Sequence, residues 1–157
     1  MFKTIVVGTD GSEGAQQAVQ IAADLAATQE GATLHIVSVQ KPMASAALAS
    51  SEMAVAGSAG AAMQWEEEAR KSVDGTLEQS ARDAARDGVT IETHARFGSP
   101  AEVLCDLAAH LNADLLVVGN RGMQGGRRFL GSVPNTVSHH APCSVLIYDT
   151  YEHHDTV

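Results

Sequence analysis

The tightest constraint on the fold is the run Leu115-Leu116-Val117-Val118, which is short, uninterrupted, half β-branched and closed by Gly119. Four apolar residues with nothing polar between them suit a strand covered on both faces, as strands of a parallel sheet are. A glycine-rich stretch follows, with Gly119, Gly122, Gly125, Gly126 and Gly131 inside thirteen residues, and Gly131-Ser132 stands where a helix can begin. Glycine lets backbone N–H groups approach a ligand with no Cβ in the way, and the first N–H groups of a helix face an anion. A strand leading into such a loop is a phosphate-holding arrangement.

The rest of the chain repeats the strand and helix alternation. Thr4 to Val7 is a β-branched run closed by Gly8-Thr9-Asp10-Gly11-Ser12, and Ser12 caps a helix whose Ala15, Ala18, Val19, Ala22, Leu25 and Ala26 recur at helical spacing until Gly31. Leu34 to Val39 completes a β-α-β unit, whose crossover is expected to be right-handed. Met63 to Arg86 carries Ala69, Val73, Leu77, Ala81 and Ala84 on one face, with Gly88 as its terminal glycine. Thr90 to Ala95 alternates as a third strand. Ser99-Pro100-Ala101-Glu102 has the form of a capping box, and its helix turns Val103, Leu104, Leu107, Ala108 and Leu111 inward. Val145 to Ile147 makes a fifth strand.

The pattern predicts an α/β fold: a single doubly wound domain over residues 1–150, with a five-stranded parallel sheet of order 3-2-1-4-5 and helices on both faces. Residues 41–62 break the periodicity and are rich in Ala, Ser and Gly, which leaves open a lid over a ligand or a partly helical surface excursion. The polar tail 151–157 is expected to fray. Trp65 reads as a packing residue. Glu66, Glu67 and Glu68 point in different directions on a helix and read as a solvated first turn.

Charge narrows the function. The chain of 157 residues carries a formal net charge of −9, which argues against nucleic acid or an anionic membrane as partner. Yet no Asp or Glu lies between Asp114 and Asp149, and Arg121, Arg127 and Arg128 fall inside the glycine stretch. An anion would therefore be held locally. Cys105 and Cys143 are the only cysteines and have no metal-type or redox spacing, so they read as small buried hydrophobes in a reducing compartment. The start Met-Phe-Lys-Thr-Ile-Val-Val lacks a signal-peptide pattern, no apolar run has the length of a membrane span, and the expected location is the cytoplasm.

Standard catalytic and nucleotide signatures are missing. There is no G-x-x-x-x-G-K-[ST], no G-x-S-x-G, and the spacing of Gly8, Gly11 and Gly14 is not that of a dinucleotide fingerprint. His139-His140 and His153-His154 are adjacent pairs, not the i, i+4 pairs that share a helix face, so they read as surface residues and no metal site is assigned. What remains is Asp10 after the first strand and the glycine stretch after the fourth, neighbours across the point where the winding reverses. Asp10 suits a ribose hydroxyl or adenine amine, and equally suits the turn and helix entry that Asp-Gly-Ser builds by itself.

These residues resemble the universal stress protein family in its ATP-binding branch. The family pattern of two glycines separated by two residues, then Gly followed by Ser or Thr, is met by Gly119, Gly122 and Gly131-Ser132, and Ile5 to Ser12 matches the family's first strand and its acid. Eight residues, Met123 to Leu130, separate Gly122 from Gly131 where the family pattern has nine. The resemblance runs from about Phe2 to Tyr148. It implies that Thr9, Asp10 and Val39 surround an adenosine, that Gly119, Asn120, Arg121 and Gly122 line the phosphate loop, and that Gly131, Ser132 and Val133 cap a triphosphate. It also implies ATP as ligand, with Mg²⁺ or Mn²⁺, and a homodimer through Ser144 to Tyr148. The expected function is a stress-response sensor or regulator without a catalytic residue. The alternatives are a member that binds cyclic AMP and a dimeric interaction protein that binds no nucleotide.

Overall fold

At the centre lies β1 (Thr4–Gly8), whose Ile5, Val6 and Val7 are fully buried. Burying each such side chain is worth roughly 1.5–3 kcal/mol, and a strand apolar on both faces gains that only where helices cover both. The computed structural model, which describes residues 1–40, 59–120 and 133–149, gives it that place. β1 pairs with β2 (Thr33–Gln40) on one side and with β4 (Leu115–Gly119) on the other; β3 (Thr90–Phe97) and β5 (Ser144–Tyr148) form the edges. All pairs are parallel, and the order is β3-β2-β1-β4-β5. The expected doubly wound architecture is thus observed.

The helices divide by face. α1 (Glu13–Ala27) and α2 (Ala59–Ala84) pack with Ile5, Val7, Leu34, Ile36, Leu115 and Val117. α3 (Pro100–His110) and α4 (Val133–His140) cover Val6, Val37, Leu116 and Val118 on the other side. Cys105 and Cys143 pack at the margin of this second cluster, and burial raises both thiols above their ordinary range, which keeps them protonated.

Several details depart from the sequence reading. α2 begins at Ala59, so the last four residues of the aperiodic stretch 41–62 are helical; residues 41–58 and the tail 151–157 lie outside the described residues. Trp65 is 57% exposed and does not pack into the core: it sits in the first turns of α2, while the buried contacts Val73, Leu77 and Ala84 come from the later turns. α1 ends at Ala27, and Gly31 enters the left-handed region (φ 72°) in the turn beyond. Ser99 occupies the N-cap of α3 but makes no side-chain cap hydrogen bond. Its ψ of 119° lies at the edge of the range a following proline permits, whereas Ser12, at ψ 157°, accepts from Ala15 N–H at 3.3 Å.

Candidate functional site

β1 and β4 are adjacent, but α1 leaves β1 over one face of the sheet while α4 leaves β4 over the other. The divergence opens a crevice beyond the carboxyl ends of the strands, the position where open α/β sheets bind ligands. A cleft of about 300 Å³ occupies it. Gly8, Thr9, Asp10 and Ser12 form one wall, Val37 and Val39 the wall on the β2 side, and Val118 and Gly119 close it from β4. Leu104 of α3 and the α4 residues Val133 and Pro134 cover it.

The first wall is fixed by its own backbone. Thr9 N–H donates to Val37 C=O at 2.8 Å, continuing the β1–β2 pairing one residue past the strand. Gly11 N–H then donates to Thr9 Oγ1 at 3.2 Å, and Ser12 N–H to the Asp10 carboxylate at 2.9 Å. Gly11 adopts φ 78°, a left-handed conformation that favours glycine, and a Cβ there would stand 3.1 Å from Thr76 Oγ1. Asp10 therefore does build the turn, while remaining exposed on the cleft wall. At Gly8 the crowding is of another kind: a Cβ would lie 2.9 Å from Leu104 Cδ1, so that side chain would have to shift.

Of the residues singled out in the sequence, Thr9, Asp10, Val39, Gly119 and Val133 come together on this cleft. Asn120 is buried next to it and turned toward β5: its N–H donates to Tyr148 C=O at 3.0 Å and its side-chain Nδ2 to Asp149 Oδ1 at 2.6 Å. Arg121, Gly122, Gly131 and Ser132 lie outside the described residues. Gly119 and Val133, which stand on either side of them in the chain, both line the cleft. Sequence reasoning had placed Val37, Val118 and Leu104 only in the core. Their second role comes from their neighbours: Val37 pairs in register with Gly8 at the end of β1, Leu104 packs against that same glycine, and Val118 precedes the last residue of β4, all visible once the strand order is known.

A model of the universal stress protein family matches residues 1–149. The chain belongs to that family. It is 36% identical over 151 residues to a universal stress protein of Mycobacterium tuberculosis, a match covering 95% of this chain and 97% of that relative. A solved universal stress protein in complex with cAMP aligns at TM-score 0.72 and 32% identity, over 96% of this chain and 98% of that one. A universal stress protein family member from Arabidopsis thaliana, solved with AMP bound, shares the fold at TM-score 0.58 and 17% identity, over 94% and 91% of the two chains.

Proposed function

We propose that this universal stress protein binds ATP in the cleft between β1 and β4 and acts as a cytoplasmic sensor or regulator in a stress response. The observation that carries the proposal is the convergence of Thr9, Asp10, Val39, Gly119 and Val133 on one crevice of adenosine scale. Val37 and Val39 offer an apolar surface to a base, and the Asp10 carboxylate offers an acceptor to a ribose hydroxyl or an adenine amine. The segment between Gly119 and Val133 supplies three arginines and no acid for the phosphates. Mg²⁺ or Mn²⁺ would enter as their counter-ion. The described walls offer a single carboxylate, which fits an ion that keeps water and phosphate oxygens as most of its ligands.

Cyclic AMP is the second reading, supported by the cAMP complex of a relative alignable over nearly the whole chain. In both readings the protein binds rather than catalyses, and Asp10, whose carboxylate already accepts from Ser12 N–H, is not cast as a general base. We also propose a homodimer through β5. Among the described residues that strand pairs only with β4, and its Val145, Leu146, Ile147 and Tyr148 are partly buried, a more apolar edge than the largely polar β3.

Calorimetric titration with ATP, ADP and cyclic AMP tests the reading. One ATP per chain is expected, with affinity at least about tenfold weaker in Asp10→Ala, the loss of one hydrogen bond donated to a charged acceptor. Absence of heat with all three nucleotides would leave the non-nucleotide interaction protein as the reading. Tighter binding of cyclic AMP than of ATP would select the second.

A further inference from the structure

On the face of the sheet covered by α3 and α4, away from the cleft, three ligand-type side chains converge. His35 of β2 stands directly across from Glu92 of β3, and His94 follows two residues later on the same face. His35 Nδ1 lies 3.0 Å from His94 Nε2 and 3.3 Å from Glu92 Oε2, and His94 Nε2 lies 4.0 Å from the same oxygen. None of the three lines the nucleotide cleft. The nearest link is Val37, the register partner of His94 and part of the cleft wall.

Those separations are the edges of a coordination polyhedron. Bonds of about 2.0–2.1 Å from a tetrahedral ion to nitrogen or oxygen place adjacent donors about 3.3 Å apart. Two of the observed edges lie within a few tenths of an ångström of that value. The third closes if Glu92, whose side chain is 53% exposed, moves inward slightly. His35 is buried, so the site is built on an imidazole held by the sheet rather than on swinging surface groups. A single hydrogen on one ring nitrogen is all that otherwise joins three acceptor atoms, whereas a cation among them would be bonded by each.

Burial chiefly holds both imidazoles below the ordinary value of 6.5, His35 adds to the lowering at His94, and Glu92 opposes it at both. Arg96 also lowers His94; its Nη2 lies 3.5 Å from His94 Nδ1, across the ring from the nitrogen that faces His35. Two imidazole nitrogens and one carboxylate select a borderline divalent ion such as Zn²⁺ over Mg²⁺ or Ca²⁺, which prefer all-oxygen sites.

We propose that His35, Glu92 and His94 form a binding site for a divalent transition-metal ion, Zn²⁺ in the simplest case, separate from the nucleotide cleft and with a fourth position open to water.

The test uses the untagged full chain, stripped with EDTA and free of nucleotide, titrated with Zn²⁺ against a chromophoric chelator. One ion per chain is expected. His94→Ala should weaken it at least about 100-fold, the upper end of what loss of even an outer-shell partner costs. Glu92→Gln, a change at an exposed side chain, should weaken it at least about tenfold. The double variant His139→Ala/His140→Ala should bind as the parent does. Co²⁺ should give visible absorption of tetrahedral intensity that disappears in His94→Ala while the circular dichroism stays native. No stoichiometric binding, unchanged affinity in both His94→Ala and Glu92→Gln, or loss in the His139/His140 variant would each overturn the proposal and leave a hydrogen-bonded His–His–Glu cluster.

Discussion

Gly11 and Gly31 both hold positive φ, 78° and 72°, yet only Gly11 has neighbours where a Cβ would go. The left-handed conformation costs a non-glycine residue about 1–2 kcal/mol. Gly31→Ala should therefore lose about that amount in urea unfolding, and Gly11→Ala measurably more, because Thr76 must yield as well. Equal losses would show that the Thr76 contact relaxes freely. Asp114 presents a different residue-scale device: one carboxylate oxygen accepts the backbone N–H groups of Lys3 and Thr4, at 2.8 and 2.9 Å, fastening the chain start to the entrance of β4. The hydrogen bond from Thr4, reinforced by that from Lys3, holds this carboxyl below its ordinary value of 3.8. A depressed carboxyl pKa stabilises the fold above that ordinary value, and the contribution is lost as pH falls through the folded value. Since Asp114 is exposed, Asp114→Asn should cost at most about 1 kcal/mol at neutral pH, a Tm shift of about 2–4 °C. Thermal melts of the two proteins should begin to converge as pH falls past about 3.8 and meet once it is below the depressed folded value. A gap that persists there would assign the effect to shape rather than charge.

Among the elements, α1 and α3 start alike in sequence and differently in space. Both have serine at the N-cap, but only Ser12 bonds a backbone N–H of its helix. Ser12→Ala should cost about 1 kcal/mol in chemical unfolding, and Ser99→Ala only a few tenths. Similar losses would indicate that Ser99 rotates into its cap in solution. The sequence shows the serine, the proline and the glutamate of a capping box, but not the ψ angle that decides whether the bond forms. Strands and helices themselves were legible to within a few residues, because Ile5, Val6, Val7 and Leu115 to Val118 are apolar on both faces and only a covered sheet satisfies them. α2 was the exception, starting at Ala59 inside a stretch of small residues without period.

For the whole molecule, strand order was readable from the alternation, and with it the meeting of Asp10 and Gly119 across one cleft. The cluster of His35, Glu92 and His94 was not, because His35 and His94 stand 59 positions apart and only the β2–β3 register brings them together. Within the sequence His94 has only Glu92, two residues earlier on the same strand face, and a single Glu-x-His pair does not mark a site, while His35 has no such companion. Assembly is the scale at which the apolar β5 edge becomes measurable: light scattering should give twice the 16.4 kDa of one chain. A mass of one chain at micromolar concentration would remove the proposed interface. The residue joining these levels is Asn120, buried at the root of the glycine segment and bonded through backbone and side chain to Tyr148 and Asp149 at the end of that edge. In evolutionary terms the clamp couples positions 120 and 149. Replacing Asn120 takes one donor from Asp149, so substitutions at the start of this segment are expected to go with substitutions just past the end of the outermost strand.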